Sequence, residues 1–258
     1  MSLETEAYRL CPSLWAREAL GFKADPKQAE ILDSDNKRII INCHRQFGKS
    51  QISAILCTHR AIFWPGSLCL IAAPALRQSS ENFKKVISFL DELEEPPGMT
   101  EDTKLTLQLS NKSRILCLPG GSDGKTIRGF SAPDIIIEDE ASRCSDDLHV
   151  ALLPMLATKP WSRLICASTP WGQRGHFHKL WTEGHGWQKI ELKASENPRI
   201  RPEYLEEMRQ TMSPQQFAQE FECQFVADEF TVFTEEMLSK MTAGADDEDN
   251  KEVNPFDY

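Results

Sequence analysis

An α/β fold is predicted, with a mostly parallel sheet flanked by helices, and three observations predict it. Short apolar, β-branched-rich runs recur along the chain, helical patterns fall between the first of them, and glycine or proline punctuates the joins. Strands buried on both faces lose the polar alternation of a half-exposed strand, and the runs Arg38–Asn42, Leu68–Ala73, Asp134–Asp139 and Leu164–Ser168 have that character.

Between the first two runs Lys49–Phe63 is helical, and Gln78–Glu95 follows the second, so βαβ units with parallel strands are expected. Residues 105–109 and 114–118 flank Ser110-Asn111-Lys112-Ser113 and read as a hairpin that adds antiparallel strands to the sheet edge. Beyond Gly186 the pattern changes to helices at Pro202–Gln210 and from Ser213 onward. Ser213 can cap the second, Pro214 suits its first turn and Gln216 completes a capping box. The expected organisation is a core over 1–186, a small, partly helical lid or linker subdomain over 187–234 and an acidic, disordered tail over 235–258.

Bulk properties narrow the class. The 258 residues contain 40% hydrophobic side chains, enough for a buried core, and no apolar run approaches the length of a membrane span. The acidic, polar N-terminus does not read as a secretory signal, and a soluble protein is expected. The eight cysteines form no C-x-x-C pair, and several sit inside apolar runs, so they read as small buried hydrophobes in a reducing compartment. His176-x-His178 lacks companion ligands in the sequence and reads as incidental, not as a metal site. The net charge is −10, of which the last 24 residues carry −6 (eight acids, two lysines), leaving −4 on residues 1–234. That balance gives nucleic-acid binding no support and does not exclude a local basic track.

The chemistry is concentrated in four places. Arg45-Gln46-Phe47-Gly48-Lys49-Ser50 follows a strand and opens a helix, the setting of a phosphate loop. Backbone amides there cradle phosphate oxygens, Lys49 neutralises β/γ charge and the Ser50 hydroxyl binds Mg²⁺. The usual first glycine of such a loop is replaced by Cys43, and a Gly-Lys-Ser triplet alone is weak. The second place is the apolar strand ending in Asp139-Glu140, 90 residues past Lys49. Asp139 at the carboxyl edge of the sheet is expected near the Mg²⁺, through water, and Glu140 is expected to orient and deprotonate the attacking water. Helix capping is the competing explanation of the two acids. Third, Ser168-Thr169-Pro170 ends the next strand, where a polar pair can sense the γ-phosphate, although taken alone it is better explained as a plain strand exit ended by proline. Fourth, Arg128 beside Gly129 is either an arginine finger, in its own subunit or across an interface, or a solvated surface arginine.

Taken in order, these residues resemble the ATPase domain at the N-terminus of the large terminase subunit, the DNA-packaging motor of tailed bacteriophages. The resemblance covers roughly Phe22 to Phe233. It is carried by the Arg-Gln-x-Gly-Lys-Ser loop, Ile71-Ala72-Ala73-Pro74, the run from Arg114 to Gly120, Arg128-Gly129, and the strand ending Ile137-Glu138-Asp139-Glu140-Ala141. Ser168-Thr169-Pro170-Trp171-Gly172 looks like the family's coupling motif, and the stretch from Phe217 to Phe225 looks like the segment that closes the ATPase region.

The resemblance implies a P-loop NTPase core of the RecA/ASCE type, ATP hydrolysis with Mg²⁺, and double-stranded DNA as the translocated partner. It assigns adenine recognition to Gln28, γ-phosphate contact to Arg45, a trans-acting finger to Arg128, and coupling of hydrolysis to DNA movement to Ser168 and Thr169. It also implies a portal protein, a small terminase subunit and other copies of the chain in a ring as partners, and the host cytoplasm as the location. His44 departs from the small residue usual before the loop arginine. The family continues into a metal-dependent nuclease domain, and this sequence stops at Tyr258, so no nuclease activity is expected of it. A helicase-like ATPase and a nucleotide-binding scaffold without turnover are the competing readings. The first lacks a second RecA-like half here, and an intact Glu140 argues against the second.

Overall fold

A computed structural model describes residues 2–120 and 129–227. Arg128 and the acidic tail therefore lie outside the described residues. Three short helices lead in: α1 (Leu3–Leu10), α2 (Pro12–Leu20) and α3 (Pro26–Leu32). Then come β1 (Arg38–Cys43), α4 (Lys49–Phe63), β2 (Leu68–Ala73), α5 (Leu76–Asp91), β3 (Met99–Asp102), β4 (Thr106–Leu109), β5 (Arg114–Pro119) and β6 (Ile135–Asp139). They are followed by α6 (Asp146–Leu152), β7 (Arg163–Ser168), α7 (Gly175–Glu183), β8 (Gln188–Leu192), α8 (Pro202–Thr211) and α9 (Pro214–Phe221). No helix among these is long and apolar enough to cross a membrane.

The strands form one eight-stranded sheet in the order β3-β4-β5-β2-β6-β7-β1-β8. From β5 to β8 every neighbouring pair is parallel, while β3-β4 and β4-β5 are antiparallel. The hairpin expected at residues 105–118 is β4-β5, closed by a turn in which Lys112 takes φ 68°. Two edge strands were not expected from the sequence. β3 extends the hairpin edge, and β8 adds a parallel strand beside β1, so the main sheet continues into the segment read as a satellite. The chain from residue 1 to 226 forms one compact unit. Ser213, Pro214 and Gln216 do form the capping box that starts α9.

Side-chain alternation sorts the strands between two cores. Ile39, Ile41, Cys69, Ile71, Ile135, Ile137 and Ile165 face α2 to α5 in one apolar layer. Ile40, Leu70, Ala72, Ile136, Leu164 and Cys166 face α6 and α7 in the other, with Leu148, Leu152 and Phe177. Burying an isoleucine contributes about 1.5–3 kcal/mol, so the central strands are fixed in register by their own side chains. Six of the eight cysteines are buried and all eight are free thiols; Cys11 and Cys144 are half-buried.

The consequence for the site lies in the strand order. β7 is inserted between β1, which leads into the loop at residues 45–50, and β6, which ends in the acid pair. The tip of β7 therefore stands between the two.

Candidate active site

The turn after β1 is built without the missing glycine. Cys43 remains within β1, paired with Leu192 of β8, so the strand runs through the position where the usual loop begins. The reversal is made instead at Gln46 (φ 65°) and Gly48 (φ 98°). Left-handed residues in a tight turn make the concave row of amides that suits a phosphate. A side chain at Gly48 is disfavoured on two counts. Its φ is unfavourable, and a Cβ there would lie 2.9 Å from Gln28 Nε2. Phe47 is fully buried and anchors the loop in the core.

Three residues distant in sequence brace this loop. Gln28 Nε2 donates to the Phe47 carbonyl at 2.8 Å, while its Oε1 accepts from the Asp25 amide, closing the capping box of α3. Gln28 is buried, so both ends of its amide hold structure in this state and neither faces the cleft. Arg199 donates to the same carbonyl at 3.0 Å and pairs with Asp25 at 3.2 Å. From α9, the Glu220 carbonyl accepts from the Arg45 amide at 3.2 Å, and the Glu220 carboxylate lies 3.3 Å from Arg45 Nε. The Arg45 side chain is otherwise exposed. His44 is buried beneath the loop against Asn197. Burial, with the charges of Lys49 and Arg199 adding, lowers its pKa to about 4, so it is neutral at pH 7.

The chemistry converges where β1, β6 and β7 end. Lys49 Nζ lies 3.3 Å from Glu140 Oε1 and donates to Thr169 Oγ1 at 3.3 Å. Burial works against the ammonium, but the Glu140 and Asp139 carboxylates outweigh it and raise the pKa above the usual lysine value. Ser50 Oγ is 3.4 Å from Asp139 Oδ2, which also accepts from Asn82 Nδ2 at 2.9 Å. Burial, and after it the charge of Glu140, holds Asp139 above the usual carboxylate range. Its Oδ1 is buried without a hydrogen-bond partner among the described residues. An all-oxygen set with an unsatisfied carboxylate oxygen fits Mg²⁺, which would neutralise the charge that burial opposes. Glu140 takes the left-handed conformation (φ 54°, ψ 43°) rare for a side chain larger than glycine. A short 3₁₀ turn at Ala141–Arg143 follows it, and Ser142 Oγ lies 2.7 Å from both Ser168 Oγ and the Thr169 carbonyl oxygen. The acid strand and the β7 tip are thus tied together.

A cleft of about 1150 Å³ opens over these residues, lined by Lys49, Ser50 and Glu140 on the sheet side and by Arg199, Arg201 and Tyr204 opposite. Sequence reading missed Arg199 and Arg201, which no motif announces. It also missed Asn82, whose signal was a polar residue on the buried face of α5 between Ser79, Phe83 and Val86.

A lysine-serine loop opening a helix, an acid pair ending a strand two places away and a polar tip between them define a P-loop nucleotide-binding protein of the ASCE class. Residues 40–240 match the family model described as the terminase large subunit, T4likevirus-type, N-terminal, and the chain belongs to that family. It is 30% identical over 182 residues to the large terminase subunits of Thermus phage G20c and Thermus virus P23-45, matching 64% of this chain. The chain spans 37% of the length of those relatives. Its fold is similar to the large terminase ATPase domain of Thermus phage P74-26, with a TM-score of 0.74 at 22% identity over 84% of this chain and all of that one. It is also similar to the large terminase of the thermophilic bacteriophage D6E solved with ADP, with a TM-score of 0.60 at 12% identity over 88% of this chain and 54% of that one.

Proposed function

We propose that this chain hydrolyses ATP to drive double-stranded viral DNA into a procapsid, as the motor domain of a large terminase. The observation that carries the reading is the convergence of Lys49, Ser50, Asp139, Glu140 and Thr169 at one end of the sheet, beneath a cleft lined with cations.

Each side chain has a task that its position suits. The loop amides and Lys49 bind the β- and γ-phosphates, with Arg45 free to leave Glu220 and reach the γ-phosphate. Ser50 and Asp139, the latter through water, would hold Mg²⁺, which supplies charge neutralisation of the phosphate oxygens when bound. Glu140 orients the attacking water and takes its proton. Thr169, bonded to Lys49, and Ser168, next to Ser142, transmit the state of the phosphates to the rest of the chain. Gln28 recognises adenine on this reading, which requires its amide to release the Phe47 carbonyl. Arg128 completes the site of a neighbouring copy in a ring on the portal protein. The small terminase subunit delivers the DNA, and the assembly works in the host cytoplasm.

The test is ATP turnover by the wild type and Glu140→Gln across protein concentrations, with Mg²⁺, with and without double-stranded DNA. The proposal expects turnover that rises more than proportionally with concentration and is lost in Glu140→Gln. ATP binding without turnover at any concentration, with DNA present, would favour a nucleotide-binding scaffold.

A further inference from the structure

The alternation that turns Asp139 toward Ser50 and Asn82 turns Glu138 to the opposite face of β6, under α6 and α7. There its carboxylate is wholly removed from solvent. Glu138 Oε2 lies 2.9 Å from His149 Nδ1 on α6, and Oε1 lies 3.0 Å from His176 Nε2 on α7. The two imidazoles stack, with centroids 4.3 Å apart and 13° between their planes. One ligand atom from each of the three residues lies within 4.8 Å of the other two.

The far side of His176 is already committed. Its Nδ1 is 3.0 Å from Asp146 Oδ1, which also accepts the His176 backbone amide at 2.7 Å. A ring that donates from Nδ1 to a carboxylate presents the lone pair of Nε2 inward, which is the arrangement that orients metal-ligating histidines. Glu138 Oε1 and His176 Nε2 are close enough for an ion pair at 3.0 Å, yet they form no aligned hydrogen bond, and neither atom has another partner among the described residues. A neutral His176 would leave two facing lone pairs in an apolar layer of Leu148, Leu152 and Phe177, which is costly unless a metal ion or a proton joins them.

We propose that Glu138, His149 and His176 form a binding site for one divalent transition-metal ion of the zinc class, pinning α6 and α7 to the end of β6. Two imidazoles and a carboxylate are borderline ligands that suit Zn²⁺, whereas Mg²⁺ prefers the all-oxygen set on the other face of the sheet. Cys166, the register partner of Glu138 on β7, donates its thiol to Oε2 at 3.4 Å and lies outside the three-ligand set. The ion would tie down the strand that carries Asp139 and Glu140, so its effect is read in stability and not only in turnover. His178, the other member of the His-x-His pair, takes no part; its ring packs edge-on against Phe225.

The competing way to join the lone pairs is a proton on His176, and one experiment separates the two. Protein stripped with a chelator is titrated with Zn²⁺ without nucleotide or Mg²⁺, and bound metal is counted after desalting. Co²⁺ serves as the spectroscopic probe. The expected result is one ion per chain, tetrahedral Co²⁺ bands in the visible and a raised thermal midpoint. His149→Asn and His176→Asn should lose the ion. Asp146→Asn should weaken its binding by about 10–100-fold, and Asp139→Asn should leave the count at one. If the histidine variants fail to fold, the wild-type Co²⁺ spectrum decides. Wild-type protein that retains no ion overturns the proposal in favour of the protonated pair. An ion that persists in both histidine variants overturns it as well.

Discussion

Lys49 and Glu140 face each other at 3.3 Å across the strand tips, so an ammonium and a carboxylate neutralise one another at the end of the sheet. On the proposed reading, nucleotide binding exchanges a carboxylate for a phosphate on the same ammonium and frees Glu140 for water. Glu140→Gln removes the competing charge while keeping the shape. It should bind ATP a few-fold more tightly in a titration while turnover falls by about 10²–10⁴-fold, the usual contribution of a positioned base. Weaker ATP binding in Glu140→Gln would show that the pair does not compete with phosphate.

Lys49→Ala should act in the opposite direction. A charge-assisted contact contributes about 1.5–3 kcal/mol, which corresponds to a loss of about 10–100-fold in ATP affinity. Thr169 loses its donor in the same variant, so on the proposed reading uncoupling accompanies weaker binding. Unchanged affinity in a nucleotide titration would remove the loop from the phosphate site.

Gly48→Ala tests the brace beneath the loop. The left-handed φ costs a non-glycine residue about 1–2 kcal/mol, and the added methyl meets Gln28 Nε2 at 2.9 Å and Gln51 Oε1 at 3.2 Å. The variant should melt about 2–10 °C lower. Combining it with Gln28→Ala should be less damaging than the two single effects added, because the double variant relieves the clash but not the φ. Strict additivity by calorimetry would show that Gln28 does not press on the loop.

What the sequence disclosed follows from where each feature stores its information. β2 is buried at every position and announces itself as an apolar run. β8, with its half-exposed Gln-Lys-Ile-Glu-Leu, buries only two positions, and β3 lies at the far edge of the sheet, so neither has a run to read. Lys49-Ser50 and Asp139-Glu140 are legible because adjacent residues carry the motif. Arg199 joins the Phe47 carbonyl only through the fold, and Glu138, His149 and His176 meet only because β6, α6 and α7 pack together. The pairing of β1 with β7, and of β7 with β6, brings Thr169 to Lys49, an adjacency no spacing encodes.

His44 and His59 should each withdraw stability on mild acidification. Burial lowers His59 to about 4, as it does His44, against an ordinary value of 6.5. In that interval the unfolded chain binds more protons at these two rings than the folded one, so their contribution is complete above pH 6.5 and declines as pH falls toward 4. Each ring contributes on the order of 1–3 kcal/mol across the whole interval. Glu138, held at about 2 against burial by His149 and His176, adds its loss only below the ordinary glutamate range. His176, which Glu138 and Asp146 raise against burial, works in the opposite sense, so the test is a difference: between pH 7.5 and 5 in EDTA, the urea midpoint of His59→Asn should fall less, or rise more, than that of the wild type. An unchanged slope would mean that His59 is solvated in the folded state.

On the proposed reading Arg128 acts on the transition state, while Lys49 and Arg199, which line the described cleft, bind the ground state. A finger contributes about 10³–10⁵-fold to kcat and little to binding. Arg128→Ala should therefore keep ATP affinity within a few-fold of wild type while turnover collapses. The sharper measurement mixes two inactive proteins, Arg128→Ala and Glu140→Gln, at concentrations where the wild type is active. If the finger crosses between copies, a Glu140→Gln chain lends its arginine to the intact base of an Arg128→Ala chain, and turnover returns in part. A finger acting within its own chain gives no such rescue, because every site in the mixture then lacks either its base or its arginine.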